Sequence, residues 1–287
     1  MRDSFYRAFE DRFRGSRELI KSRLRVYLPF VRLIKDHFPN ARALDLGCGR
    51  GEWLELLKET EIIAEGVDIN EDMLTACHQR GLDVRVDDAF SALSEYPANT
   101  FAIVSGFHII EHLQFEDLQR FVKDSLRVIK PGGLLILETP NPENLVVATS
   151  RFYLDPTHRR PIPAELLSFL AEHYGFSRTQ VMRLSGLPDT PSKRTTSLLD
   201  VIQNLSPDYA LLAQKVGDEI VMRSFNSAFD LAGGSSLTDL ALRFEERLVR
   251  LEERLVRAER AQETLEMLRR TRSWRLLSWV NKRLIQL

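Results

Sequence analysis

Cysteine is nearly missing from this chain, which holds Cys48 and Cys77 among 287 residues. Two cysteines give no disulfide framework and suit a reducing cytoplasm. No apolar run approaches the roughly 20 residues that a bilayer-spanning helix needs. The N-terminus carries acids and lacks the apolar stretch of a secretory leader. An excess of one charge is missing too: 40 basic and 41 acidic residues leave a net charge of −1, so no global attraction to nucleic acid is implied. Histidine occurs six times, few enough for its placement to carry information. What remains is plentiful. Apolar residues make up 44%, enough for a full α/β domain plus an accessory element.

The most informative stretch is Ala43-Leu44-Asp45-Leu46-Gly47-Cys48-Gly49-Arg50-Gly51-Glu52. A short apolar run leads into alternating glycines, and Trp53, Leu54, Leu56 and Leu57 then continue at helical spacing. This predicts a strand, a tight turn and a helix start, with glycine letting the backbone bend and a ligand come close. Open α/β sheets bind nucleotide-like ligands at such turns. The spacing is G-x-G-x-G, and Asp45 would repel a pyrophosphate but suits an ammonium group. Gly66-Val67-Asp68-Ile69 follows about 20 residues later, where Rossmann-like folds place an acid on ribose hydroxyls. Further strands are predicted at Val84–Val86, at Phe101–Ser105, at Gly133–Glu138 and, late in the chain, at Gln180–Leu184 and Tyr209–Gln214, with an antiparallel pair at that end.

The Asp45, Gly47, Gly49, Gly51 pattern resembles the first motif of class I S-adenosylmethionine-dependent methyltransferases. The resemblance implies an α/β fold with a Rossmann-like seven-stranded methyltransferase sheet and S-adenosyl-L-methionine as cofactor. It implies cofactor contacts from Asp45 and the glycines, from Asp68 and Ile69, from Asp88 and Ala89 at the adenine, and from Phe107.

Methyl transfer from a sulfonium is an in-line displacement, and an alcohol acceptor needs a base for its proton. His108, Glu111 and His112 follow the fourth strand, and a helix starting there would set them on one face. His158 lies in Asp155-Pro156-Thr157-His158. Three readings stay open. One histidine is a general base, oriented by Glu111 or Asp155; no metal is then required. Alternatively His108, Glu111, His112 and His158 hold a divalent metal that binds a vicinal diol, a set similar to that of metal-dependent terminal-ribose RNA methyltransferases. Or Glu111-His112 merely buttresses a helix.

Distant segments read together resemble the methyltransferase domain of bacterial O-antigen chain-terminating proteins over about residues 5–215. They are Phe13–Ile20, the glycine motif, Gly106–Leu113, Glu138–Asn144 and Asp155–Pro161. That resemblance implies methylation of the terminal sugar of a lipid-linked surface polysaccharide. It implies a peripheral place at the inner face of the plasma membrane and glycosyltransferases as candidate partners. Direct methylation of a sugar hydroxyl is the simpler reading, because only about 20 residues, too few for a kinase domain, separate the sheet from the helix that follows.

Residues 1–38 read as a basic amphipathic helical lid, from which Arg14, Arg17 or Arg23 would pair with the cofactor carboxylate. Residues 39–217 form the methyltransferase domain, with an inserted loop at 186–206, and 218–235 read as a linker ending in Gly233-Gly234. Residues 236–270 carry a seven-residue repeat. Leu237, Phe244, Leu251, Ala258 and Leu265 stand at d and Ala241, Leu248, Leu255 and Gln262 at a, predicting a coiled coil and a dimeric or trimeric homo-oligomer. Residues 271–287 form a basic tail with Trp274 and Trp279, suited to an anionic membrane surface.

Overall fold

The computed structural model describes residues 15–184, 196–230, 233–271 and 273–274. The expectations for Arg14 and Phe13 at the N-terminus, and for nearly all of the basic tail, fall outside the described residues.

Short apolar runs bounded by turns form the strands, and the periodic segments between them form helices. The strands are β1 (Arg42–Leu46), β2 (Ile63–Asp68), β3 (Asp83–Val86), β4 (Phe101–Phe107), β5 (Ile129–Pro140), β6 (Phe176–Leu184) and β7 (Asp208–Lys215). They make a seven-stranded sheet in the order β3-β2-β1-β4-β5-β7-β6. The first five pair in parallel, and β7 runs antiparallel between β5 and β6. This is the expected Rossmann-like methyltransferase sheet, with longer late strands than the sequence predicts. Every residue of β4 is buried, as befits a central strand covered on both faces.

One face packs against α5 (Ala89–Glu95), α6 (Phe115–Val128) and α8 (Ala164–Tyr174). In α6, Leu118, Phe121, Val122, Ser125 and Val128 recur at helical spacing and are all buried. The other face is covered by α2 (Leu28–His37), α3 (Glu52–Glu59), α10 (Glu219–Ser224) and α11 (Asn226–Phe229). Two expectations change here. Residues 28–37 are a layer of the core, since Leu28, Phe30, Val31 and Ile34 are buried; among the described residues of the expected lid, α1 (Arg17–Leu24) sits over the strand ends as a cover. The stretch read as a linker at 218–235 is folded onto the sheet: Phe225, Ala228 and Phe229 are buried, and the Gly233 carbonyl accepts from Arg183 N on the β6 edge.

The segment read as an inserted loop contains α9 (Leu198–Gln203), opened by a reciprocal Ser197–Asp200 capping box. Behind it stands the long helix α12 (Leu237–Arg270), opened by a Ser236–Asp239 capping box. Leu240 is buried, and Leu237, Ala241 and Phe244 pack with it on Val201 and Leu205. The first two turns of α12 are thus docked on the chain's own domain, whereas Leu248, Leu251, Leu255 and Leu265 are exposed. No helix among the described residues is long and apolar enough to cross a membrane.

Candidate active site

The glycine turn leaves β1 as the sequence predicts. Gly47, Gly49 and Gly51 all take positive φ, and Gly51 caps α3 in the left-handed conformation. The Gly47 and Cys48 amides donate to the Val67 carbonyl at 2.8 and 3.0 Å, which locks the turn to β2. Asp68 ends β2 and accepts from Gly49 N and Asn70 N. Ile69 follows it, 77% exposed, an apolar surface at the strand end. Asp88 caps α5 by accepting from the Phe90 and Ser91 amides, with Ala89 as the first helical residue. The Ser91 hydroxyl and amide hold the Asp88 carboxyl below its usual range, so it stays ionised. These groups stand at the carboxyl ends of β1, β2 and β3, along one rim of the sheet.

A pocket opens at that rim between α1 and the ends of β1, β4 and β5. Four acids line it: Asp45, which accepts from the Ser105 hydroxyl at 2.7 Å, Glu52 in the first turn of α3, and Glu138 and Asp208 at the far side. Arg23 of α1 supplies the opposing positive charge. Acids and a guanidinium facing one space fit a zwitterionic amino-acid group. Trp53 and Phe107 line the same pocket, with ring centroids 5.4 Å apart. The buried Trp53 Nε1 finds no hydrogen-bond acceptor among the described residues. A buried donor without a partner is costly, and a ligand carboxylate would satisfy it.

Arg17 is placed differently from the expectation. It donates to the Arg50 carbonyl and to Glu55, clamping α1 onto α3. Lys21 joins it, and the two cations hold the Glu55 carboxyl down at about 2. Of the two described arginines proposed for the cofactor carboxylate, Arg17 and Arg23, it is Arg23 that the fold brings to the pocket.

The helix predicted to align His108, Glu111 and His112 does not form. His108 N donates to the Glu138 carbonyl as a last rung of β4 against β5, and His108 takes φ +56. That left-handed residue breaks the chain direction, and only a short 3₁₀ turn, Ile110–His112, follows. His108 and Glu111 still meet, at 3.2 Å between Nδ1 and Oε1, while Nε2 of His108 faces Glu138 at 3.5 Å. Burial opposes a charge on His108, but Glu111, Glu138 and Asp208 outweigh it and hold the imidazole well above its usual range. It is therefore an imidazolium at neutral pH and a poor base.

His112 and His158 stand together instead, with ring centroids 4.7 Å apart. His112 Nδ1 lies 3.0 Å from the Thr157 hydroxyl, and His158 Nδ1 lies 2.7 Å from the Phe152 carbonyl. Glu111 is fully buried beside them and accepts from the Thr139 hydroxyl at 2.9 Å. The four residues of the metal alternative thus divide. Glu111, His112 and His158 group together, and His108 groups with Glu138 and Asp208.

Asp208 was not anticipated. It opens β7, and antiparallel pairing sets it opposite Pro140, beside His108 and Glu138. Burial pushes its carboxyl up to about 6; the His108 imidazolium opposes this, and Glu138 and Glu111 reinforce it. Tyr27, also missed, donates its hydroxyl to Glu138 and fixes that carboxylate. Glu52 and Trp53 directly follow the last motif glycine, and that position was the one signal that could have found them. A second cavity of about 170 Å³ adjoins the first through Arg23, Glu138 and Asp208, and extends past Met182 and Arg183 to Gly233 and Gly234.

The sequence profile of a methyltransferase-domain family matches residues 15–181. The chain belongs to that family. Over 195 residues it is 29% identical to a probable S-adenosylmethionine-dependent methyltransferase of Mycolicibacterium smegmatis, covering 66% of this chain and 73% of that one. A crystal structure of a SAM-dependent methyltransferase from Archaeoglobus fulgidus is 36% identical, with a TM-score of 0.63, and matches 74% of this chain and 100% of its own. The human mitochondrial ubiquinone biosynthesis O-methyltransferase is 32% identical over 139 residues, covering 42% of this chain and 37% of that protein. The methyltransferase is S-adenosylmethionine-dependent. Acids, Arg23 and Trp53 line the pocket under α1, and Asp68 and Asp88 stand outside that lining, at the neighbouring strand ends.

Proposed function

We propose that this methyltransferase O-methylates the terminal sugar of a bacterial surface polysaccharide, and so ends chain growth. The observation that carries the reading is the junction of the two cavities, where Glu138, Asp208 and Arg23 line both spaces beside His108. Carboxylates accept hydrogen bonds from sugar hydroxyls, and Met182 and Val26 offer apolar surface to a ring face. S-adenosylmethionine supplies an electrophilic methyl group on a sulfonium. Asp208, at about 6, is matched to a proton acceptor near neutral pH, and it takes the acceptor's proton as the oxygen–carbon bond forms. The histidine base becomes the less favoured assignment, because His108 is held as an imidazolium.

The exposed repeat of α12 supports self-association as a dimer or trimer, and a basic tail beyond it supports a place on an anionic membrane face near glycosyltransferases. The relative named for ubiquinone biosynthesis favours a second reading, a small phenolic acceptor.

Methyl-labelled S-adenosylmethionine offered with lipid-linked polysaccharide or with small phenols separates these readings. Label on the terminal sugar, located by mass spectrometry, is expected. Label on phenols and none on glycan overturns the polysaccharide reading and leaves the methyltransferase intact.

A further inference from the structure

The hydrogen bonds around His112 and His158 settle which ring nitrogens carry protons. The Thr157 hydroxyl has one proton and donates it to Asp155 Oδ1 at 2.6 Å. Toward His112, 3.0 Å away, the same oxygen can therefore only accept, so His112 carries its proton on Nδ1. The Phe152 carbonyl also can only accept, so His158 carries its proton on Nδ1. In the neutral form each ring then presents Nε2 as a bare lone pair. His158 Nε2 lies 3.9 Å from Glu111 Oε1 and 3.8 Å from Asp155 Oδ2. One nitrogen from each ring and one Glu111 carboxylate oxygen lie within 4.8 Å of one another.

We infer that Glu111, His112 and His158 bind a divalent transition-metal cation. Imidazoles whose far N–H groups are held by a carbonyl and by a hydroxyl–carboxylate pair are the usual support of metal ligands. The carboxylate is supported as well, by the Thr139 hydroxyl on its other oxygen. Two imidazoles and a carboxylate select Zn²⁺, Co²⁺ or Fe²⁺ over Mg²⁺ or Ca²⁺, which prefer oxygen ligands. His108 stays outside the set: its Nδ1 is taken up by Glu111 Oε1 at 3.2 Å and its Nε2 faces Glu138 at 3.5 Å, so it offers the cation no free nitrogen. Bonds of about 2.0–2.2 Å require the three groups to draw together slightly. Protein ligands of this number leave positions for oxygen donors, water or an acceptor hydroxyl. The acceptor as a ligand rests on the proposed function; the cation does not.

The test uses the full chain, freed of metal by a chelator and titrated with Co²⁺ while its visible d–d absorption is followed. One Co²⁺ per chain is expected, displaced by Zn²⁺ and indifferent to excess Mg²⁺. His112→Ala and His158→Ala each abolish the band, and Thr157→Val weakens binding about 10–100-fold. His173→Ala, on the outer side of α8 against Phe169, leaves it unchanged. Calorimetry of S-adenosylmethionine on the same samples shows that each variant retains a folded cofactor pocket. A native protein with no Co²⁺ band, or a band that survives in His112→Ala, overturns the site. Neither result touches the methyl acceptor, which the labelling experiment decides separately.

Discussion

A Cβ placed on Gly51 would stand 2.7 Å from the sulfur of Cys77 and 2.8 Å from the Leu82 side chain. Gly51 also takes φ +75 as the cap of α3. Steric contact and backbone conformation thus both exclude a side chain from the last motif glycine. Gly51→Ala is expected to cost about 1–3 kcal/mol from the backbone conformation alone. The contact with Cys77 adds to this, and the turn that carries Gly47 and Asp45 shifts with it. Thermal melting measures the first effect and calorimetry of S-adenosylmethionine the second. A variant that melts and binds like the native protein would show that the turn is slack.

Asp45 is buried, lines the pocket under α1 and accepts from the Ser105 hydroxyl. Its carboxylate is the nearest match to an ammonium group. Asp45→Asn keeps the shape and removes the charge, so one charge-assisted hydrogen bond worth about 1.5–3 kcal/mol is lost. Cofactor affinity is expected to fall about 10–150-fold by calorimetry, with little change in melting temperature. Trp53→Phe removes the unpartnered indole N–H together with part of a buried ring that packs on Tyr27 and Phe107, so it should weaken the same affinity and also lower the melting temperature.

What was legible in the sequence was what local pattern controls. The glycine turn, the first five strands and the antiparallel end all follow from period and punctuation within short windows. The site's polar floor is different. Asp208 reaches His108 only because β7 runs backward along β5, pairing Pro140 with Asp208. His108 itself misled, because no side-chain spacing reveals a residue at φ +56. The false linker has the same origin. Phe225 and Phe229 sit in polar company, and only the finished sheet face shows why they are apolar.

The pH dependence tests Asp208 directly. If Asp208 takes the acceptor's proton, kcat/KM rises with pH through about 6 and then levels off. Asp208→Asn lowers the rate about 10²–10⁴-fold and removes that limb of the profile. His108→Gln withdraws the imidazolium that favours the Asp208 carboxylate, so the limb moves to higher pH. Stability carries the opposite sign. The folded state binds this proton more tightly than an unfolded aspartate at about 3.9. Native stability relative to Asp208→Asn therefore falls as pH rises from about 4 to about 7, and melting curves across that range measure it. A profile unchanged in Asp208→Asn removes Asp208 as the base.

Self-association is tested on α12, where the docked and free parts of the helix separate. Leu240 and Phe244 belong to the domain's own packing on Val201 and Leu205, so changing them would confuse folding with assembly. Leu251 and Leu255 are exposed, lie four residues apart and occupy adjacent d and a positions of the repeat. Leu251→Lys with Leu255→Lys puts charge into the seam that a coiled coil must bury. The native chain is expected to sediment as a dimer or trimer and the double variant as a monomer. The melting temperature of the methyltransferase domain should stay unchanged, because both side chains are exposed. A native chain that sediments as a monomer at micromolar concentration would leave α12 as a lone exposed helix. A double variant that remains oligomeric would move the interface to another surface.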